Sequence, residues 1–357
     1  MSAVAAGDAS HLAREQFTEG RVVFTARNGP VNSLSRPMRQ ALLQAVQETA
    51  RSPQARAAVF ACAGRTFHAG ADLAELEAGL QEPGLLEFVR ACTGAPQVLV
   101  AALHGTAYGG GLLVALACDW RVAEAGTRLA MPEVELGLLP TFGGTQLLPR
   151  LIGVEAALRL VVDGEVWTAE QALEHGLVDE VVPPGARVAH ALQACRVRAK
   201  RPVWSLARHE QEPAAARAQA FSLRRRRLAA PPEGPLAPLR CLEVMEGGLE
   251  APLEEALARE HAVFLELLAG AESRRLRRRF FGERALRREA FDRRAVEARL
   301  RQARHDWQRL REEARGLLCR GEVASAEALD ALMVQCLELP RHAPGPLEGW
   351  FGLVGHA

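Results

Sequence analysis

Apolar and polar positions follow two regimes along this chain. Short β-branched or continuously apolar runs at 21–26 (RVVFTA), 57–63 (AAVFACA) and 97–103 (QVLVAAL) have the length and composition of buried strands. An amphipathic stretch from Pro37 to Ser52 separates the first two. The third is followed by a glycine cluster, an apolar helix from Leu112 to Ala117 and a further strand at 119–124 (DWRVAE). This β, α, β rhythm predicts an α/β first half. From Ala189 onward strand signals thin out, and Ala, Leu, Arg and Glu recur at helical spacing, with breaks at Pro231-Pro232, Gly247-Gly248 and Pro340. The second half reads as helical. No internal repeat is evident, and the Pro/Gly-rich segment 230–238 is the best linker candidate.

A length of 357 residues suggests two domains or one domain with a long extension. The 44 basic and 43 acidic residues nearly cancel, which argues against the one-signed field of a dedicated nucleic-acid binder. Lys200 is the only lysine, a bias that runs through the whole chain and carries no functional weight. Seven scattered cysteines without a C-x-x-C pair predict free, buried thiols in a reducing cytoplasm. The N-terminus lacks the charged start and apolar core of a signal peptide, no apolar run reaches the ~18 residues needed to span a bilayer, and the C-terminal GHA matches no known address. A cytoplasmic location with no membrane span is therefore expected.

The chemistry concentrates in three segments: FHAGADL at 67–73, HGTAYGGGLLVALACD at 104–119 and AMPEVELGLLPTFGGTQ at 130–146. In the second, Gly109, Gly110 and Gly111 stand between an apolar strand and an apolar helix, so backbone N–H groups at the helix start can approach a ligand oxygen closely. Glycines alone fit tight helix–strand packing equally well, and no G-x-G-x-x-G fingerprint points to a dinucleotide.

The joint order and spacing of the three segments closely resembles the crotonase (enoyl-CoA hydratase/isomerase) superfamily. The stretch 164–182 (GEVWTAEQALEHGLVDEVV) is similar to the helix and strand that close that domain. The resemblance implies a spiral ββα core and an acyl-CoA thioester as substrate. It implies an oxyanion hole made by the backbone N–H groups of Ala71 and Gly110, and a substrate site that includes Ala69, Asp72, Leu73, Gly109, Leu113, Thr141 and Gly143. One such donor on a thioester oxygen that gains charge is typically worth about 3 kcal/mol. No metal and no second cofactor are needed beyond the coenzyme A carried by the substrate.

One departure from the family pattern is informative. Hydratases of the family place one Glu three residues after the middle glycine and another in the Pro-Glu turn; here the second is Glu133, but the first position is Leu113. Two carboxylates suit hydration, because they grip one water and share acid and base duty. Shifting a double bond from C3 to C2 needs one base, and mitochondrial 3,2-enoyl-CoA isomerases, which LLVALACD at 112–119 is similar to, keep only the Glu of the turn. Glu133 is thus the catalytic candidate, with Leu113 expected to help desolvate it and raise its pKa. Glu135, two residues on, is a weaker candidate that faces away if the segment is extended. Thr141 falls where dienoyl-CoA isomerases carry an acid, which disfavours that chemistry. His68 and His104 flank the loops and are expected to pack or to orient them. Asp72 is placed to cap the next helix.

In the helical half, 247–284 is similar to the linker that follows the crotonase domain in multifunctional β-oxidation enzymes, and 312–330 with 339–350 resembles their C-terminal helical part. Only residues 285–312 lie where the NAD-binding dehydrogenase domain of those enzymes would have to fit, so no NAD is expected. The expected domains are a crotonase-like acyl-CoA domain at 1–190, a helical linker region at 191–284 and a helical dehydrogenase-like region at 285–357. The Arg runs 224–227 and 274–279, the second followed by Phe280 and Phe281, read as solvated helix faces rather than phosphate sites. Three functions stay open: an isomerase using Glu133, a hydratase of fatty-acid β-oxidation, and a non-catalytic acyl-CoA-binding subunit. A homo-oligomer fits the family, and no nucleic-acid partner is expected.

Overall fold

The computed structural model describes residues 11–229, 235–286, 292–337 and 339. The chain starts with β1 (Leu12–Gln16) and β2 (Arg21–Ala26), crosses α1 (Arg36–Arg51) into β3 (Ala57–Cys62), and passes α2 (Leu73–Ala78) and α3 (Leu85–Gly94) before β4 (Val98–Leu103). Next come β5 (Thr106–Tyr108), α4 (Gly110–Ala117), β6 (Trp120–Glu124), β7 (Arg128–Ala130), α5 (Gly144–Ile152) and α6 (Val154–Val161). Then follow β8 (Val166–Thr168), α7 (Ala169–Glu174), β9 (Glu180–Val182) and α8 (Arg187–Val197). Six strands form one sheet in the order β1-β2-β3-β4-β6-β9, parallel except for β1, while β5, β7 and β8 form a second, smaller sheet.

Every residue of β3 is buried, which explains its unbroken apolar run: a strand covered on both faces has no polar side. On one face Val23, Val59, Val100 and Val122 pack with Ala191 and Ala194 of α8. On the other, Phe60 stacks on Phe24 at 5.5 Å and meets the edge of Phe88 from α3 at 5.8 Å. The strands and helices read from the sequence between 21 and 124 are all present, shifted by a residue or two at their ends. The three-residue strands β5, β7 and β8, too short to show a period, and the polar β1 were not read.

Two compact units divide the described residues: one takes residues up to 134 together with 139–264, the other 135–138 together with residues from 265 onward. The first unit also contains α9 (Ala214–Leu228), α10 (Leu236–Gly248) and most of α11 (Leu253–Ala269). Arg224 on α9 is clasped by Glu155 and Asp163, Arg225 pairs with Glu246 and Arg227 with Asp163, so this Arg run is largely paired with carboxylates.

The second unit is helical, with α12 (Ala271–Leu286), α13 (Arg293–Ala303), α14 (Trp307–Cys319) and α15 (Ala326–Cys336). Leu300, Leu310, Leu317, Leu329 and Leu332 are fully buried in its core. Gly282 lets α12 approach α15 closely, since a Cβ there would lie 2.1 Å from the Glu327 carbonyl oxygen. Arg277 and Arg279 of the second Arg run are buried rather than solvated, Arg277 donating to Ser273 Oγ at 2.5 Å. The end of α12 with α13 and the start of α14 make up most of the described part of 285–312, and no strand follows β9 among the described residues. The breaks at Pro231-Pro232 and Pro340 lie outside the described residues, whereas Gly247-Gly248 does close α10. The six described cysteines other than Cys319 are buried or half-buried, and all seven are free thiols. Among the described residues no helix is long and apolar enough to cross a membrane.

Candidate active site

The loop after β3 is fixed by its own backbone. Phe67 N–H donates to the His104 carbonyl (2.9 Å), Tyr108 N–H to the His68 carbonyl (3.1 Å), Ala69 N–H to the Val31 carbonyl (3.1 Å) and Leu34 N–H to the Gly70 carbonyl (2.9 Å). Gly70 turns the chain with φ +111°, a conformation open to glycine alone at little strain. The next amide, Ala71 N–H, has no acceptor among the described residues, and Ala71 is exposed. Across from it, Gly109 N–H donates to the Ala130 carbonyl (2.9 Å), and its carbonyl receives Leu113 N–H (3.0 Å). Gly110 N–H, first in α4, has no acceptor either, as the opening amides of a helix do not. A Cβ built on Gly110 would lie 3.8 Å from the Ala71 nitrogen, so the two free amides neighbour one another. Gly111 does the packing: a Cβ there would run into the His68 carbonyl oxygen at 2.1 Å. Tight packing thus accounts for Gly111, while Gly110 keeps a free amide.

Glu133 lies in a short 3-10 turn, Pro132–Leu136, directly after β7. The pairing of β7 with β5 sets Ala130 beside Tyr108 and so brings the turn to the glycines. A Cβ on Gly109 would be 2.6 Å from Glu133 Oε1, which places the carboxylate against the start of α4. Glu133 is partly exposed as a residue, yet its Oε2 is buried without a hydrogen-bond partner. Burial pushes its pKa up to about 7, opposed by a hydrogen bond from its own backbone and assisted by the charge of Glu260. Leu113, one helical turn beyond Gly109, is 2% exposed, so the position where a second carboxylate would stand is apolar and buried. The turn is not extended, but Glu135 is exposed, as expected of a residue facing elsewhere.

Both histidines serve the loops. His68 is buried, its Nδ1 donates to the Asn32 carbonyl at 2.7 Å, and burial lowers its pKa to about 4, so the ring is neutral at neutral pH. His104 Nε2 donates to the Gly64 carbonyl at 3.0 Å, and burial lowers its pKa as well. Asp72 caps α2 through Ala74 N–H (3.1 Å), with Leu73 as the first residue of that helix. Thr141 Oγ1 is buried without a partner. Gly143, expected among the substrate-binding residues, is buried and donates its N–H to Glu260 Oε1 at 2.6 Å, so that amide is committed within the protein.

Glu260 was not among the sequence candidates. It stands on α11 amid Ala256, Leu257, Val263, Phe264 and Leu267, all buried, and is itself 0% exposed. A single acid inside an apolar helical stripe was the available signal. Among the described residues no group of three or more His, Cys, Asp and Glu side chains is arranged to hold a metal ion.

The model of the enoyl-CoA hydratase/isomerase family matches residues 18–220, more than half of the chain. The peroxisomal bifunctional enzyme of Danio rerio is 32% identical over 277 residues, covering 76% of this chain and 38% of that protein. A probable enoyl-CoA hydratase of Bacillus subtilis is 36% identical over 178 residues, covering 48% of this chain and 68% of that one. This chain thus spans well under half the length of the peroxisomal relative. Among solved structures, an enoyl-CoA hydratase/isomerase from Pseudoalteromonas atlantica superposes with a TM-score of 0.57 at 25% identity, covering 76% of this chain and 96% of that one.

Proposed function

The chain belongs to the enoyl-CoA hydratase/isomerase family and has its crotonase fold, and from that premise we propose that it shifts the double bond of a 3-enoyl-CoA to the 2-position with Glu133 as the sole proton shuttle. The observation that carries this reading is the pairing of Glu133, held at the Gly109 turn, with a buried Leu113 where a second carboxylate would be needed to grip water.

The thioester oxygen takes the two free amides, Ala71 and Gly110. As Glu133 removes a proton from C2, the electron pair moves into the carbonyl and both amides strengthen their hold on the growing charge. The dienolate collapses by taking the same proton back at C4, which leaves the double bond between C2 and C3 and restores the Glu133 carboxylate. A carboxyl with a pKa of about 7 suits a group that must both take and return a proton near neutral pH. The sequence of steps uses no metal and no NAD. Asp72 and Leu73 would border the carbonyl site, and Ala69, Gly109, Leu113 and Thr141 the acyl path.

A second reading is hydration of 2-enoyl-CoA. It is favoured by Thr141 Oγ1, a buried hydroxyl with no partner that offers a second hold on a water. Glu260 does not fill that role, because its carboxylate is occupied by donors from Gly143 and Thr145 at the start of α5. Glu133→Gln tests the proposal: it keeps size and hydrogen bonding but removes the base, and 3-enoyl-CoA turnover should fall at least ~100-fold. Full turnover in the folded variant would overturn the assignment.

A further inference from the structure

The chain segment that carries Glu133 continues past its turn, Pro132–Leu136, to α5, and its far end is held from a distant part of the chain. Glu260 Oε1 accepts Gly143 N–H at 2.6 Å, while Oε2 accepts Thr145 N–H at 2.9 Å and Thr145 Oγ1 at 2.5 Å. Gly143, the residue before α5, has no side chain to cap that helix, so the cap comes from α11. It is needed at a demanding point. Phe142 (φ +60°) and Gly143 (φ +103°) are consecutive left-handed residues, and the first is not a glycine. The Phe142 ring also lies 6.1 Å from that of His261, the exposed residue after Glu260. Helix α11 thus meets both strained residues.

The same carboxylate acts electrically on the base. The titratable groups that face one another are Glu133 from the turn, Glu260 from α11 and Cys241 from α10, while the first turn of α5 adds only the neutral Thr145 and Gln146. Glu260 lies well beyond residue 220, where the family match ends.

We propose that Glu260 is a positioning residue for the proton transfer: it clamps the far end of the 132–145 segment that carries Glu133, at the start of α5, and makes α11 a working part of the active site. The proposal rests on Glu133 being the base. Its geometry resists simple substitution, since in Glu260→Gln the amide NH2 would face an N–H donor and half of the clamp is lost.

The test is Glu260→Gln in the full chain, assayed with 3-enoyl-CoA across pH. Turnover should fall roughly tenfold or more, as expected when a catalytic group is misplaced, with KM changed far less. The acid limb of the rate profile should move to lower pH, because a negative neighbour of Glu133 has gone. A helix cap with no bearing on the base would lower the melting temperature and leave the limb in place. A folded Glu260→Gln with wild-type kcat and an unmoved limb would overturn the proposal. If that variant does not fold, Thr145→Val removes one of the three donors and should still lower kcat; unchanged kcat in Thr145→Val would then count against the clamp. If the wild type turns over no enoyl-CoA, the functional reading fails, and the clamp is tested separately by carboxyl carbon-13 NMR. Glu133, assigned by its loss in Glu133→Gln, should titrate at lower pH in the Glu260 variant or, for the milder change, in Thr145→Val; a coincident titration curve would refute the influence of Glu260.

Discussion

Replacing Gly109 with alanine is a sharp probe of where Glu133 sits. The added methyl would stand 2.6 Å from Glu133 Oε1 and 3.3 Å from its carboxyl carbon. Normal contact begins near 3.5 Å, so the carboxylate must withdraw by about 1 Å. A misplacement of that size in a reacting group costs roughly 100-fold in rate. The backbone adds strain, because φ +52° with ψ −123° is a glycine conformation; a penalty of about 1–3 kcal/mol follows, enough to lower the melting temperature by several degrees without unfolding a domain of this size. Gly111→Ala is the contrasting control. Its methyl would meet the backbone oxygen of His68 at 2.1 Å, and backbone cannot swing aside as a carboxylate can. The assay pairs product formation from 3-enoyl-CoA with calorimetric binding of a CoA thioester product and thermal melting. Gly109→Ala should stay folded, bind the product and lose turnover, whereas Gly111→Ala should lose stability first. Turnover within a few-fold of wild type in a folded Gly109→Ala would refute the placement of Glu133 as the base.

Three further outcomes are expected. Leu113→Glu should raise hydration of 2-enoyl-CoA by supplying the second grip on water, at some loss of stability from burying a carboxylate; a folded variant with no gain would show that Leu113 does not set the outcome. Burial raises the Glu260 pKa to about 7, so its folded-state pKa exceeds the unfolded one; the stability it contributes is full in acid and is lost as pH rises from ~5 to ~8, by on the order of 3 kcal/mol. Denaturant melts of wild type and Glu260→Gln should therefore draw closer at pH 8 than at pH 5.5, and a gap that is constant or widens would contradict this. Finally, a calorimetric titration with NADH should show no micromolar binding, and a clear isotherm would overturn the expectation that no NAD is used.

The parts of this site that were legible in the sequence are those built from local chain. Gly70, Gly109, Gly110 and Gly111 announce themselves because each serves a turn, a free amide or a close approach within its own segment, and Glu133 follows shortly after the strand that docks it. The burial of Leu113 was readable for the same reason, as one position on an apolar helix. What was not legible depends on residues far apart in the chain. The clamp from Glu260 joins residues more than a hundred positions apart, and an acid in an Ala/Leu/Glu-rich helix looks like part of a solvated face until its neighbours are seen to be buried. Arg277 and Arg279 misled in the same way, since a basic run gives no sign of which members turn inward. The commitment of the Gly143 amide to Glu260 was hidden for that single reason. Strands of three residues, such as β5 and β7, are specified by their pairing partners rather than by any period of their own.

In the proposed reaction one carboxylate at the glycine turn, Glu133, drives proton transfer between C2 and C4 of an enoyl-CoA. The most direct measurement is the partition of products formed by the purified wild-type chain from matched 3-enoyl-CoA and 2-enoyl-CoA substrates of several lengths, resolved by NMR and repeated with Glu133→Gln. 3-Enoyl substrates should be converted to 2-enoyl products faster than 2-enoyl substrates gain water, and Glu133→Gln should cut the conversion at least ~100-fold. Faster hydration of 2-enoyl-CoA by the wild type, or full turnover by Glu133→Gln, would contradict the proposed reaction.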